Sequence, residues 1–469
     1  MTGAPSGGAA TVPASRLVCA GCGTEVAPDR PIAWACPAAT PGDDIDHVLR
    51  RVLDPAVVVR DGEADPNPFV RYRTRFHAYH VARAAGWRDQ RFVDLVNGLD
   101  AAIADVDGRG FRATPIVRST SLDDDLGFEP GAGVWVKDET GNVSGSHKAR
   151  HLMGVMLALN VAESLGMADP GAPLAIASCG NAALAAAVVA RAARRRLLVF
   201  VPPSADPAVV ERLRSLRAEL EVCERRPGQS GDPTVQRLMD AIAEGAVPFT
   251  VQGNLNGLAI EGGATLGWEL IDQLPDDASA LDRLVIHVGG GAFASAQAMA
   301  FEEDRALGQL ATVPIIDTVQ TQGAYPLARA YERVLEALGA TPGTPLPVDA
   351  VEAGLAEVAR HRSDYMWAWE TEPVSIAHGI LDDETYDWLA VVRAMLLTGG
   401  RSVVVDEATL EAANTLARPD LGIDADHTGT AGLAGLIQLT RDGIVRPDET
   451  VAVIFSGARR SSAAPSPQQ

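Results

Sequence analysis

The period of the apolar positions changes along the chain. From about residue 65 to 107 they recur every three or four residues, with Phe69, Tyr72, Phe76, Tyr79 and His80 on one stripe, a spacing that predicts helix. From about 112 onward, short continuous apolar runs alternate with longer helical stretches. VWVK (134–137) precedes a helix through His147–Leu165, and LAIAS (174–178) precedes Asn181–Arg195. LLVFV (197–201) precedes Pro207–Leu220, and RLVIHV (283–288) precedes Ala292–Leu307. VPIIDTV (313–319) and VAVIF (451–455) read as further strands. Strand–helix alternation predicts an α/β fold, a parallel sheet with helices on both faces. Such sheets bind ligands at the carboxyl ends of their strands. Residues 339–385, punctuated by Pro and Gly, break the alternation and are expected to be an insertion or lid-like region. Residues 1–15 and 460–469 are expected to be mobile tails, and 16–50 a compact cysteine-containing segment.

Composition narrows the class. The length of 469 residues allows two or three domains, and 47% apolar with 22% charged residues is globular. A net charge of −21 argues against nucleic acid and anionic membrane surfaces as partners. No apolar run approaches the ~18 residues of a spanning helix; the richest, Ala182 to Ala190, ends at Arg191. The N-terminus lacks the basic start and apolar core of a signal peptide. Five cysteines in such a chain form no disulfide framework, so a cytoplasmic location is expected.

Four segments carry candidate chemistry, each on the turn after an expected strand. Lys137 to Arg150 reads KDETGNVSGSHKAR and opens a helix, with Ser144 or Ser146 as the expected N-cap. Lys148 would then lie in the first helical turn beside Arg150, where the helix dipole and the guanidinium both disfavour the charged amine. A neutral lysine is a nucleophile that a cofactor aldehyde can trap as a Schiff base; a solvated helix-start lysine is the plainer alternative. His147 and Ala149 flank the lysine where a phosphate-loop nucleotide site needs Gly and Ser/Thr, which excludes that motif. Ser178-Cys-Gly-Asn181 offers helix-start amides for an anion and a side-chain amide able to donate to a phenolic oxygen. In His287-Val-Gly289-Gly290-Gly291-Ala292, consecutive glycines let backbone N–H groups converge on a phosphate. The same turn, as Gly289-x-Gly291-x-x-Ala294, also fits a dinucleotide fingerprint, with Asp317 as the ribose partner of an NAD-dependent oxidoreductase. Ser456 ends the last strand, where a hydroxyl would be a weak partner for a pyridine nitrogen.

Ser-x-Lys-x-Arg in a Gly/Ser/Thr-rich turn, followed in order by the Asn, Gly and Ser segments, resembles the fold-type-II pyridoxal-phosphate (PLP) enzymes. These include threonine synthase, threonine dehydratase, cysteine synthase and the tryptophan synthase β chain. Glu261-Gly-Gly-Ala-Thr265 through Glu269, and Asp426-His-Thr-Gly-Thr-Ala431, also resemble family segments. The resemblance spans about 112–460. It implies two parallel-sheet α/β subdomains with the active site between them, within a catalytic domain of 63–469 whose smaller subdomain is about 144–258. It implies that Lys148 holds PLP and abstracts the α-proton, that Gly289, Gly290, Gly291 and Ala292 cup the phosphate, and that Asn181 contacts the 3′ oxygen. By the same resemblance Ser456 meets the ring nitrogen and Ser178 the substrate carboxylate. Ala182 stands where dehydratases usually carry His, which leaves the substrate open. The expected activity is β- or γ-elimination or replacement on an amino acid, by a lyase or synthase of the threonine synthase/dehydratase kind. A homodimer is implied by resemblance alone, and a non-catalytic PLP-binding relative is the further alternative.

Residues 1–62 hold the remaining motif. Cys19-Ala-Gly-Cys22-Gly23 is a knuckle, and Cys36 follows. Zinc wants four ligands, and His47 is the expected fourth, with Asp43, Asp44 or Asp46 behind it. The segment resembles the N-terminal ribbon of some threonine synthases; a structural zinc and a metal-free ribbon both stay open.

Overall fold

The strands that build the centre are buried along nearly their whole length because both faces are covered. β9, RLVIH, is buried at every position, and β12, TVAVIF, at all but its first. The computed structural model describes residues 13–27, 32–58, 65–225, 231–274, 281–417 and 421–460. Its strands are β1 (Ser15–Cys19), β2 (Leu49–Leu53), β3 (Ile116–Arg118), β4 (Gly133–Asp138), β5 (Leu174–Ala177), β6 (Leu197–Val201), β7 (Glu219–Val222), β8 (Val247–Pro248), β9 (Arg283–His287), β10 (Ile315–Thr321), β11 (Ser402–Val405) and β12 (Thr450–Phe455).

These form three sheets. β1 and β2 make an antiparallel pair, six strands run in the order β11-β10-β9-β12-β4-β3, and four in the order β7-β6-β5-β8. Every pair of the larger two sheets is parallel except β3 with β4 at one edge. Because β12 lies between β4 and β9, the loops after these three strands emerge side by side; Phe455 pairs with Asp138, directly before the lysine turn. The loop after β5 comes from the four-stranded sheet and completes the set.

The helix Lys148–Ser164 is buried on nearly every side, so it shows no stripe. It crosses the helix Ala259–Gln273 at two glycines. A Cβ on Gly154 would lie 2.9 Å from Gly262 Cα, and a Cβ on Gly262 would collide with the carbonyl of Arg150. That approach brings Arg150 against Glu269. Arg150 donates to Glu139 through Nε (2.8 Å) and Nη2 (2.8 Å), and to Glu269 through Nη1 (2.6 Å). Lys137 Nζ adds bonds to Glu269 (2.8 Å) and the Thr114 carbonyl (2.7 Å). The whole network is buried.

Several expectations need correction. The stretch Pro207–Leu220 is helical only to Ser215; Arg217 takes φ +65°, and Leu220 belongs to the edge strand β7. Residues 1–12 and 461–469 lie outside the described residues, but Ser15 starts β1 and Arg460 bonds Asn181 Oδ1, so neither belongs to a free tail. Residues 339–385 contain the helices Val348–Val358 and Arg362–Tyr365, and Val351, Leu355, Val358 and Met366 are buried in the main core. Among the described residues, no helix is long and apolar enough to cross a membrane.

Candidate functional site

The lysine turn is built by left-handed backbone. Ser144 has φ +55° and Gly145 φ +76°, and the Ser144 N–H donates to Asp107 Oδ2 at 2.8 Å. Neither Ser144 nor Ser146 caps the helix, contrary to expectation: His147 occupies the cap position, and its side chain makes no capping bond to the helix. Lys148 is the first residue of that helix and is partly accessible. Its ammonium is disfavoured chiefly by burial, which lowers its pKa; Asp382 and Asp387 act in the opposite direction. Arg150 is not the cause, because it points away into the Glu139–Glu269 network.

His147 joins three of the loops. Its Nδ1 lies 2.5 Å from Ser456 Oγ, its N–H donates to the same oxygen at 3.1 Å, and its ring stacks on Phe293 at 3.9 Å between centroids. His151 and His287 pack edge-on beside it. Burial, then the charge of Lys148, lowers the pKa of both His147 and His151, and the same pair of causes acts on His287. All three are therefore neutral, and His147 Nε2 and His287 Nδ1 are buried without a bond.

Asn181 begins the helix after β5. Its Oδ1 accepts from Arg460 Nη2 at 2.7 Å, which turns the amide nitrogen toward Gly457, next to Ser456. Ser178 Oγ accepts from the Gly180 N–H at 3.4 Å in the same loop. The structure thus brings the lysine, Asn, glycine and Ser segments to one end of the sheets.

The glycine loop has neighbours that the sequence did not disclose. Residues 376–387 run across it as a strap. Thr385 Oγ1 donates to the Gly289 carbonyl and the Asp387 N–H to the Gly290 carbonyl, both at 3.0 Å. A Cβ on Gly290 would meet Tyr386 at 2.9 Å, and one on Gly291, at φ +92°, would meet Thr385 at 2.9 Å. Asp382 Oδ2 fills the space a Cβ would need at Gly289. The Gly290 N–H stabilises the Asp382 carboxylate, while burial pushes that carboxyl up to about 6. Asp387, accepting from the Gly253 N–H at 3.2 Å, is pushed by burial up to about 7. The signal for these acids was the run Asp382-Asp383-Glu384-Thr385-Tyr386-Asp387 at the end of the irregular stretch.

These groups fit PLP. An acidic oxygen, Asp382 Oδ2, already lies against the loop, the three glycines present no Cβ atoms, and the Ser456 hydroxyl stands at the end of β12. The dinucleotide alternative loses its ribose partner: Asp317 is buried within β10, ion-paired with Arg283 and accepting the Arg401 N–H at 2.7 Å.

At the N-terminus, one ligand atom from each of Cys19, Cys22, Cys36 and His47 lies within 4.8 Å of the others. Cys19 Sγ is 3.5 Å from His47 Nδ1, and Cys22 Sγ 3.6 Å from Cys36 Sγ. Tetrahedral thiolates about 2.3 Å from zinc would sit at about that separation. His47 Nε2 faces Asp43 Oδ2 at 3.3 Å, the kind of partner that orients a ligating imidazole. Asp44 and Asp46 bond Ser363 and Trp388 instead.

A profile of the family described as "Pyridoxal-phosphate dependent enzyme" matches residues 109–457. The threonine synthase of Methanosarcina acetivorans is 26% identical over 367 residues, 73% of this chain and 74% of that protein. The L-serine dehydratase of Saccharomyces cerevisiae is 27% identical over 203 residues, 42% of this chain and 59% of that protein. Among solved structures, maize serine racemase superposes with a TM-score of 0.57 at 19% identity, covering 79% of this chain and 94% of that one, a likeness of fold.

Proposed function

The chain belongs to the family of pyridoxal-phosphate dependent enzymes, and from that premise we propose that Lys148 carries the cofactor and that the enzyme eliminates a β-substituent from a small β-hydroxy amino acid. That it is a PLP-dependent lyase or synthase follows from the family and from relatives that are threonine synthases and a serine dehydratase. When bound, PLP supplies an electron sink that acidifies the α-carbon of an amino acid. In this proposal the Gly289–Ala292 amides bind the phosphate, the Asn181 amide nitrogen meets the 3′ oxygen, and Ser456 meets the ring nitrogen. Ser178 orients the substrate carboxylate, and Lys148 takes the α-proton, which it can do only as a neutral amine. A hydroxyl leaves a ring nitrogen without a proton, which disfavours a long-lived carbanion and favours rapid loss of a β-substituent.

The observation that carries the reading is Lys148 itself: unbonded, first in its helix, its pKa lowered by burial, where four loops converge. The choice of a hydroxy amino acid over a phosphorylated one rests on charge. Asp382 is repelled by Asp383 and Asp232 with Lys148 opposing, and Asp383 by Asp232 and Glu384 with Arg225 opposing, so acids outnumber cations where a second phosphate dianion would lie. A structural zinc on Cys19, Cys22, Cys36 and His47, a homodimer and a cytoplasmic location complete the proposal.

PLP-reconstituted protein should absorb in the visible, borohydride should fix the cofactor covalently, and Lys148→Ala should abolish that fixation. Serine or threonine should yield a 2-oxo acid and ammonia. Conversion of O-phosphohomoserine to threonine, with no 2-oxo acid from either hydroxy amino acid, would overturn the choice of substrate.

A further inference from the structure

A serine hydroxyl has one proton to donate and two lone pairs to accept with. Toward a pyridine nitrogen it is therefore ambivalent: it can donate to the bare nitrogen or accept from the protonated one. Which of these Ser456 can do depends on how much of its capacity the protein already engages. The backbone N–H of His147 donates to Ser456 Oγ at 3.1 Å and fills one lone pair. The ring nitrogen Nδ1 of His147 lies 2.5 Å from the same oxygen. It fills the second lone pair if it carries the imidazole hydrogen, and takes the hydroxyl proton if it does not.

The surroundings of the imidazole decide between the two. His147 is buried, stacked on Phe293 and flanked edge-on by His151 and His287. Its Nε2 is buried without a bond. A hydrogen on Nε2 would be an orphan donor inside the protein, and buried orphan donors are rarer than buried orphan acceptors. A hydrogen on Nδ1 leaves only a bare lone pair at Nε2. His151, one turn further along the helix, has that arrangement. Its Nδ1 lies 2.8 Å from the Ala259 carbonyl, which can only accept, so Nδ1 carries the hydrogen and the buried, unbonded Nε2 is bare. A second proton on His147 is opposed by burial, then by Lys148, His151, His287 and Arg150. Both lone pairs of Ser456 Oγ are then engaged by His147, and its own O–H, bonded to no acceptor among the described residues, is what remains.

We infer that His147 is a positioning residue that fixes the Ser456 hydroxyl as a donor, so that the ring nitrogen of the cofactor seated there can only accept and stays without a proton. The inference rests on the reading of the site given above, in which Ser456 meets that nitrogen. Serine alone leaves both protonation states open; here the residue before the lysine closes one of them. A ring held unprotonated is a weaker electron sink. The electron pair freed at the α-carbon is then passed to a β-leaving group rather than held, so the contact that orients the hydroxyl also favours elimination.

The first test needs no cofactor. In apoprotein carrying isotope-labelled histidine, nitrogen NMR should show a hydrogen-bearing Nδ1 and a bare Nε2 for His147, and Ser456→Ala should move the Nδ1 signal. A bare Nδ1 beside a hydrogen-bearing Nε2 overturns the inference. The second test loads the protein with PLP labelled at its ring nitrogen. In the wild type that nitrogen should give the signal of an unprotonated pyridine at neutral pH. His147→Phe keeps a ring to stack on Phe293, removes the side-chain donor and frees a lone pair of Ser456. The pH at which the ring nitrogen gains a proton should then rise by about one unit, because the hydroxyl can now accept from a charged donor. His147→Asn, whose amide nitrogen can stand in for Nδ1–H, should restore the wild-type behaviour. A protonated ring nitrogen in the wild type, or the same protonation pH in the wild type and His147→Phe, overturns the role of His147 and leaves the cofactor on Lys148. A wild type in which borohydride fixes no PLP to Lys148 overturns the reading of the site, and the role of His147 with it.

Discussion

Asp387 offers a measurable consequence of burying an acid behind the site. It is 2% exposed, and its carboxyl rises from 3.8 to about 7, first through burial and then through Asp46, with the Gly253 N–H and Lys148 opposing. At about 1.4 kcal/mol per pH unit, ionising it in the folded state at pH 8 costs about 4 kcal/mol more than in the unfolded chain. The sign follows from linkage. Between the unfolded and folded values the folded protein binds the extra proton, so the stabilisation is fully present below 3.8 and is lost as pH rises through about 7. At pH 5 the remaining penalty is under half, so this one group removes about 3 kcal/mol of stability between pH 5 and pH 8. With an unfolding entropy of about 2.1 cal/mol/K per residue, a chain of 469 residues changes Tm by about 1 °C per kcal/mol. Asp387→Asn keeps an oxygen for the Gly253 N–H and removes the titration. Thermal denaturation of the apoprotein should therefore show a Tm fall from pH 5 to pH 8 that is about 3 °C smaller in the variant than in the wild type. Identical pH slopes in the two proteins would refute the reasoning.

Two further outcomes are expected. Arg150→Met should destabilise the protein by about 3–5 kcal/mol in guanidinium denaturation, because Glu139 and Glu269 lose their shared cation inside the core. Metal-replete protein should hold about one zinc per chain by elemental analysis, and Cys22→Ser should lose it; wild-type protein without zinc removes the metal.

What the sequence disclosed and what it hid follow one division. Strands covered on both faces, such as β5, β9 and β12, are largely apolar and stand out as runs, and the turns after them could be located for the same reason. β7 reads ELEV, lies at a sheet edge with three of its four residues exposed, and carries no such run, so Leu220 was absorbed into the preceding helix. The capping serines failed for a non-local reason: Ser144 is drawn into left-handed backbone by Asp107, 37 residues earlier. Arg150 was expected to act on Lys148 because the two are near in sequence. Residues two apart on a helix face different directions, and Arg150 faces Glu139 and Glu269. The acids of the strap meet Gly289–Gly291 across some ninety residues, a distance over which no periodicity reports.

That strap also explains why the cysteine segment lies where it does. Asp46, one residue before His47, accepts from Trp388 Nε1 and Arg362 Nε, both at 3.2 Å. The Arg362 N–H donates to the Asp44 carbonyl at 2.9 Å, and Ser363 Oγ donates to the Asp44 carboxylate at 2.9 Å. Arg362 is also ion-paired with Glu384, inside the strap, and Trp388 follows Asp387 directly. Asp44 and Asp46, beside His47, therefore fix the back of 382–388 while the glycine loop fixes its front. Held at two ends, the twelve residues 376–387 keep Asp382 against Gly289 and Asp387 bonded to the Gly253 N–H behind it. The segment around His47 then supports the candidate site without supplying a residue to it, through a carboxylate that ties it to the strap.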